Sequence, residues 1–347
     1  MVTTLPEIGK AVMSAMLASV SLARRVRAGD AEHSPWPFRV YAETNVAREE
    51  YTANVIGPIR LLDEVVRLNL GDVPAYRQAR QLAWVWLFTY PIENNLWATY
   101  FEDVPIYDKP ENFNQYSAME TARYILQHPE YDPDWRTHVP KIIDWVEKTF
   151  VVDVPDEPGV QWGANAVSEQ IADMHKMGSH TSRYASLMAL WYEKTGNVAA
   201  REKAFRSFNW ATYMCRENGA VDDLPVQKAQ AIWFSDGYGD YIRHFMAGLG
   251  AIPEWAPPEE NHLVRSASVV RSVSYLPGEI NFSTFDDAST EVLRLNFSPR
   301  RVTADGKELS KRSDLAQPGW TFDERLHVLR IRHEGSRVVR ILAADNP

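Results

Sequence analysis

Apolar residues recur every three to four positions through the first two thirds of the chain. Val55, Ile59, Leu62 and Val66 form one such set, and Tyr76, Ala79, Ala83, Trp86 and Tyr90 a second. Val139, Ile143, Val146 and Phe150 form a third, and Ala204, Phe208, Ala211 and Cys215 a fourth. The 3.6-residue turn of an α-helix gathers each set into one stripe. The spacing predicts helices over 5–27, 54–70, 74–90, 117–128, 134–150, 166–176, 180–195, 198–217 and 237–249. Asp132-Pro133 is a start signal for the helix containing Trp135, because aspartate caps free N–H groups and proline fits a first turn. Gly196 and Gly219 are stop signals, since glycine takes the left-handed conformation that ends a helix. Loops 29–52, 104–116 and 151–163 are long and contain Pro or Gly, and long loops in compact domains often carry function.

The period falls toward two after Pro253. Trp255-Ala256-Pro257-Pro258 is a stiff connector. Strands are expected over 268–275, 279–285, 291–297, 328–331 and 337–342, with turns at Pro277-Gly278 and Asp305-Gly306. His327 and His333, beside the strand at 328–331, are read as strand residues among ordinary polar neighbours. The expected organisation is a helical domain over 1–255 and a small antiparallel β-sandwich over 262–347, with the second domain structural.

Many paired helices followed by a β-sandwich resembles the plan of α/α-toroid carbohydrate-active enzymes, polysaccharide lyases and glycoside hydrolases among them. Ser34-Pro35-Trp36-Pro37-Phe38-Arg39-Val40 is similar to the tryptophan-proline turn that follows a toroid's opening helix. The resemblance implies a mainly α fold, an incomplete barrel of helical hairpins plus the all-β module, and a cleft that binds an oligo- or polysaccharide. Toroids also include isoprenoid cyclases. The acidic motif of those enzymes is absent, Asp222-Asp223 being its nearest approach.

Charge and composition narrow the chemistry. The 347 residues carry a net charge of -9, which argues against nucleic acid or a membrane surface as partner, because both need a basic face. A local basic groove for an acidic sugar is compatible with it. The 12 Trp, 15 Tyr and 13 Phe are a heavy aromatic load; such residues dominate cores and also line sites that stack sugar rings. The single cysteine, Cys215, lies in an apolar helical pattern and reads as a buried thiol. Ala11–Ala23 has the look of a leader core, but its serines and the following Arg24, Arg25 and Arg27 favour an amphipathic helix. The compartment, cytoplasm or periplasm, stays open.

The richest stretch runs from Gln161 to Tyr192. Trp162, Asn165, Glu169, His180, Arg183 and Tyr184 lie within it. On helices, Asn165, Glu169 and Asp173 share a face, as do His180, Arg183 and Tyr184. Elimination across a uronic acid needs a neutraliser for the carboxylate, a base for the α-proton and an acid for the leaving oxygen. Asn165 or Arg183 with His180 and Tyr184 would supply that set. A second stretch, Trp233 to His244, offers Asp236 and Asp240 as catalytic carboxylates and Trp233, Tyr238 and His244 as sugar contacts. A third contains Asn94, Asn95, Trp97, Glu102 and Asp103. Its paired asparagines are similar to the Asn-Asn-His motif of some alginate-lyase-like enzymes, with Leu96 in the histidine position. Trp36, Asn95, Trp97, Glu102, Trp162 and Glu169 complete the candidate substrate contacts.

The expectation is therefore a carbohydrate-active enzyme, leaning to a uronate-active lyase. A glycoside hydrolase with an Asp/Glu pair is the alternative, and a non-catalytic glycan-binding protein or a cyclase-like toroid stand behind it. No His-Glu-x-x-His, dinucleotide or phosphate-loop pattern occurs, so neither metal nor cofactor is expected.

Overall fold

The computed structural model describes residues 5–98, 112–154, 158–215, 217 and 234–344, with the backbone alone at 5–11, 173 and 234–240. The chain forms two compact units: Met1–Leu187 with Phe205–Gly237, and Met188–Ala204 with Tyr238–Pro347.

The first unit is helical. It contains α1 (Leu5–Arg25), α2 (Ile56–Arg67), α3 (Val73–Leu87), α4 (Gln115–Gln127), α5 (Trp135–Phe150) and the first half of α6 (Gly178–Thr195). The later half of α7 (Val198–Thr212) belongs to it as well. The predicted stripes become its core: Tyr76, Ala79, Ala83 and Trp86 are buried on α3, and Val139, Ile143, Val146 and Phe150 on α5. Asp72 caps α3 by accepting from the Ala75 amide at 3.2 Å. Trp36 is a packing residue, buried, with its indole N–H donating to the Leu22 carbonyl of α1 at 2.9 Å.

Side-chain rungs fix the direction of alternate helices. Arg60 on α2 meets Glu120 on α4 at 3.6 Å, and one turn further Asp63 accepts from Tyr124 at 2.6 Å. Glu120 also meets Arg183 on α6 at 3.5 Å, and Arg123 donates to Ser186 at 2.6 Å. Because both partners advance together, α2, α4 and α6 run parallel. The short connections to α3 and α5 make those helices antiparallel returns. This is the helical-hairpin plan of an incomplete α/α toroid. α4 is its most enclosed member, with every residue but Tyr116 and Gln127 buried, including Glu120 and Arg123.

One predicted helix is absent. Residues 166–176 form an antiparallel hairpin of β3 (Ser168–Gln170) and β4 (Asp173–Lys176). Tertiary partners override the local helical spacing. The Ile171 amide donates to the Phe113 carbonyl at 3.1 Å, and Lys176 Nζ reaches the Phe150 carbonyl at 2.8 Å and Ser168 Oγ at 3.0 Å. Burial lowers the Lys176 pKa to about 8, an effect partly opposed by Asp153. Two short strands, β1 (Arg39–Val40) and β2 (Ala47–Glu49), pair in the loop before α2.

The second unit holds most of α8 (Phe234–Ala251), the facing halves of α6 and α7, and the sandwich. The sandwich strands are β5 (His262–Ser266), β6 (Val270–Leu276), β7 (Glu279–Thr284), β8 (Ser289–Arg294), β9 (Pro299–Ala304), β10 (Lys307–Glu308), β11 (Gly319–Asp323), β12 (Val328–His333) and β13 (Val338–Ala343). One sheet has the order β10-β9-β13-β7-β6, the other β11-β12-β8-β5. Ile280, Phe282, Leu293, Leu329, Ile331 and Ile341 fill the space between them. The Asp305-Gly306 hairpin forms as expected, both residues at positive φ, +45° and +77°. Arg265 on β5 ties the helical part of this unit to the sheet through a two-pronged pair with Glu193, 2.8 and 2.6 Å.

Three further expectations are corrected. Cys215 follows the end of α7 and is exposed, because the helix stops before it. His327 sits in a turn at φ +51° rather than on a strand. His333 has an unusual setting, fully buried with Nε2 3.3 Å from Glu291 and Nδ1 2.9 Å from the Ser336 carbonyl. Burial alone would discharge the imidazole, but the Glu291 carboxylate and the carbonyl outweigh it and raise its pKa above 6.5. A folded pKa above the unfolded one stabilises fully below about pH 6.5, and that stabilisation is lost as pH rises through the folded value. We expect the sandwich's urea midpoint to fall between about pH 6 and pH 8.5, and His333→Gln to flatten that slope. An unchanged slope in the variant would refute it.

Candidate functional site

The parallel direction of α2, α4 and α6 places their N-terminal ends together. Backbone bonds lace the loops there: the Ala53 amide donates to the Ala98 carbonyl at 3.0 Å and the Asn114 amide to the Trp97 carbonyl at 3.3 Å. Asn114 caps α4, its side chain accepting from the Tyr116 amide at 2.7 Å. The β3–β4 hairpin is fixed over this end by Asn112, which donates to Gln170 at 2.6 Å and accepts from the Ala172 amide at 2.9 Å. Gln115 donates to the Glu169 carbonyl at 3.3 Å. The hairpin thereby brings the Glu169 side chain toward His180 on the first turn of α6.

Glu169 Oε1 lies 3.9 Å from His180 Nε2, with both side chains nearly buried. Arg183 Nη1 lies 2.8 Å from His180 Nδ1. A guanidinium only donates, so Nδ1 accepts and the neutral ring carries its proton on Nε2, facing the carboxylate. Arg183 is wholly buried, pairs with Glu120 and lies 4.7 Å above the Tyr116 ring. Glu120 Oε1 is also 3.5 Å from Arg123, and its other oxygen faces Arg60, a half-exposed side chain. Three arginines thus converge on one carboxylate beside three helix N-termini, whose partial positive charge has the same sign.

His180, Arg183 and Glu169 come together, although Glu169 arrives on a hairpin instead of the predicted helix. Tyr184 and Asn165 belong to a separate cluster. The Tyr184 hydroxyl donates to Glu147 at 2.5 Å and accepts from Asn165 at 2.8 Å. Burial first, and Glu147 next, push its pKa well above the ordinary tyrosine value, so it is a poor proton-transfer group. Trp97 is fully buried against Trp145, ring centroids 6.2 Å apart. Asn95 sits at φ +55° in the turn before it. Trp162 is exposed in a different loop, and His244 is buried within the second unit. Asp236, Tyr238 and Asp240 fall on α8 where only the backbone is described, and Glu102 and Trp233 lie outside the described residues.

Sequence spacing missed Tyr116, Glu120, Arg123 and Arg60. Spacing carried no signal for them: Ala118, Met119, Ala122, Ile125 and Leu126 share one sector of about a third of the circumference, an ordinary amphipathic stripe that leaves Glu120 and Arg123 to be read as solvent-facing. Among the described residues no group of His, Cys, Asp and Glu is placed to hold a metal ion, and no helix is long and apolar enough to cross a membrane.

No protein-family model and no curated protein matches the chain. Solved structures give distant likenesses. The Lin0763 protein of Listeria innocua aligns at a TM-score of 0.46 and 14% identity, over 70% of this chain and 64% of that one. A family 76 glycoside hydrolase from a bovine Bacteroides thetaiotaomicron strain aligns at 0.37 and 9% identity, over 60% and 45%. In both cases the match spans less than two thirds of the other chain's length.

Proposed function

We propose that this protein is a carbohydrate-active enzyme that cleaves a uronate-bearing oligo- or polysaccharide by β-elimination at the N-terminal ends of α2, α4 and α6. The observation that carries the reading is the 3.9 Å separation of Glu169 and His180. Elimination from one face removes the C5 proton and protonates the C4 oxygen, neighbouring positions, so its base and acid stand close together. Glycosidase carboxyl pairs stand wider, about 5–5.5 Å or 6.5–9.5 Å apart.

The roles follow from the donor and acceptor pattern. The Glu169 carboxylate accepts the C5 proton. The C5–H pair becomes the C4=C5 double bond, the C4–O bond breaks, and His180 Nε2–H protonates the departing oxygen. Sequence left acid and base open between His180 and Tyr184; here His180 is the acid, because Arg183 holds its other nitrogen. Arg60, half-exposed at this end of α2, neutralises the sugar carboxylate, which acidifies the C5 proton; buried Arg183 positions His180.

The test is a panel of neutral and uronic-acid polysaccharides, read together for reducing ends and for ultraviolet absorbance of the unsaturated product. Both signals on a uronate polymer support elimination. Reducing ends without absorbance would mean hydrolysis, and activity confined to neutral polymers would remove the role of Arg60.

A further inference from the structure

The loop at 158–163 presents an aromatic side chain to water. Trp162 is 61% exposed and meets Tyr213, 76% exposed, edge to face at 6.1 Å between ring centroids. Leaving two large rings in water forgoes the favourable burial of their apolar faces, and the loop is firmly held in doing so. Trp162 takes φ +50° between Gly159 at +78° and Gly163 at +79°, a conformation costly for a non-glycine residue. Trp210, buried on α7, donates its indole N–H to the Val160 carbonyl at 3.0 Å. Gln161 donates to the Val151 carbonyl at 3.1 Å and accepts from the Ala166 amide at 3.3 Å. Arg206 passes beside Gly163, where a Cβ would lie 3.6 Å from its Nη1.

We propose that Trp162 and Tyr213 form a sugar-binding platform separate from the Glu169–His180 pair, on which a pyranose ring of a polysaccharide stacks through its C–H face, with Arg206 at its edge for hydroxyls or a carboxylate. The ring face of tryptophan offers apolar area and a negative quadrupole to such C–H groups. A rigid pair of aromatic rings offers that contact at little entropic cost. The platform rests on the carbohydrate reading given above and serves to hold a polymer.

The test is affinity electrophoresis of the full chain in native gels containing polygalacturonate, alginate or hydroxyethyl cellulose. Wild type is expected to be retarded in at least one gel. Trp162→Ala and Tyr213→Ala are each expected to weaken retardation about tenfold or more, and His180→Asn to keep it. Absence of retardation in all three gels, or retardation unchanged in both aromatic variants, overturns the platform. A change of sedimentation coefficient in Trp162→Ala, with retardation unchanged, would overturn it in favour of contact with a second copy. Loss of turnover in His180→Asn with retardation intact separates the platform from the catalytic proposal, and either can fail alone.

Discussion

His180→Asn is expected to lower kcat/KM by about 10²- to 10⁴-fold, the usual weight of one positioned proton donor, while leaving the fold intact. Asparagine is chosen for its shape. Its Oδ1 stands where Nδ1 stands and still accepts from Arg183, the 2.8 Å contact of the native ring. The group lost is the Nε2–H that faces Glu169. Glu169→Gln is expected to act on the same step, replacing an acceptor carboxylate by an amide of the same size. The two losses should not add, because donor and acceptor work on one transition state. Activity within about threefold of wild type in either variant, measured on a substrate that wild type cleaves, would sink the assignment.

The second large effect is on stability. Glu120 is buried and stands within 3.6 Å of Arg60, Arg123 and Arg183. Glu120→Gln removes a buried charge that all three face and takes a counter-ion from the wholly buried Arg183. Breaking a buried pair in this way costs about 3–5 kcal/mol. Arg183→Met should cost a comparable amount by stranding Glu120 from its deepest partner. The double variant should be less harmful than the sum, since the buried charges leave together. Urea unfolding of the four proteins completes the cycle. Additive losses, or a Glu120→Gln variant as stable as wild type, would show that the network does not hold α4 between α2 and α6.

Periodicity revealed α5 to within a residue at its start and α3 to within three residues at its end, because their apolar faces are continuous and their polar faces meet water. It misread 166–176, where the partners that decide the conformation, Phe113, Asn112 and Phe150, are distant in sequence. The sandwich was visible through β6, β7, β8, β12 and β13. β9 begins with Pro-Arg-Arg and β5 has two apolar residues, so neither shows an alternating pattern of useful length. At the site, His180 and Arg183 were legible because they are three apart on one helix. Tyr184, one position further, was grouped with them by the same rule, but its hydroxyl turns to Glu147. Spacing states which residues share a sector of a helix; it does not state which neighbouring element each one meets.

The enclosure of α4 has a consequence for how the helical unit opens. Nearly all of this helix is shielded by protein, so no local fraying of a solvent face exposes its amide groups. Their hydrogens exchange with solvent only when the surrounding helices part, which makes α4 the slow-exchanging nucleus whose protection measures the cooperative opening of the whole unit.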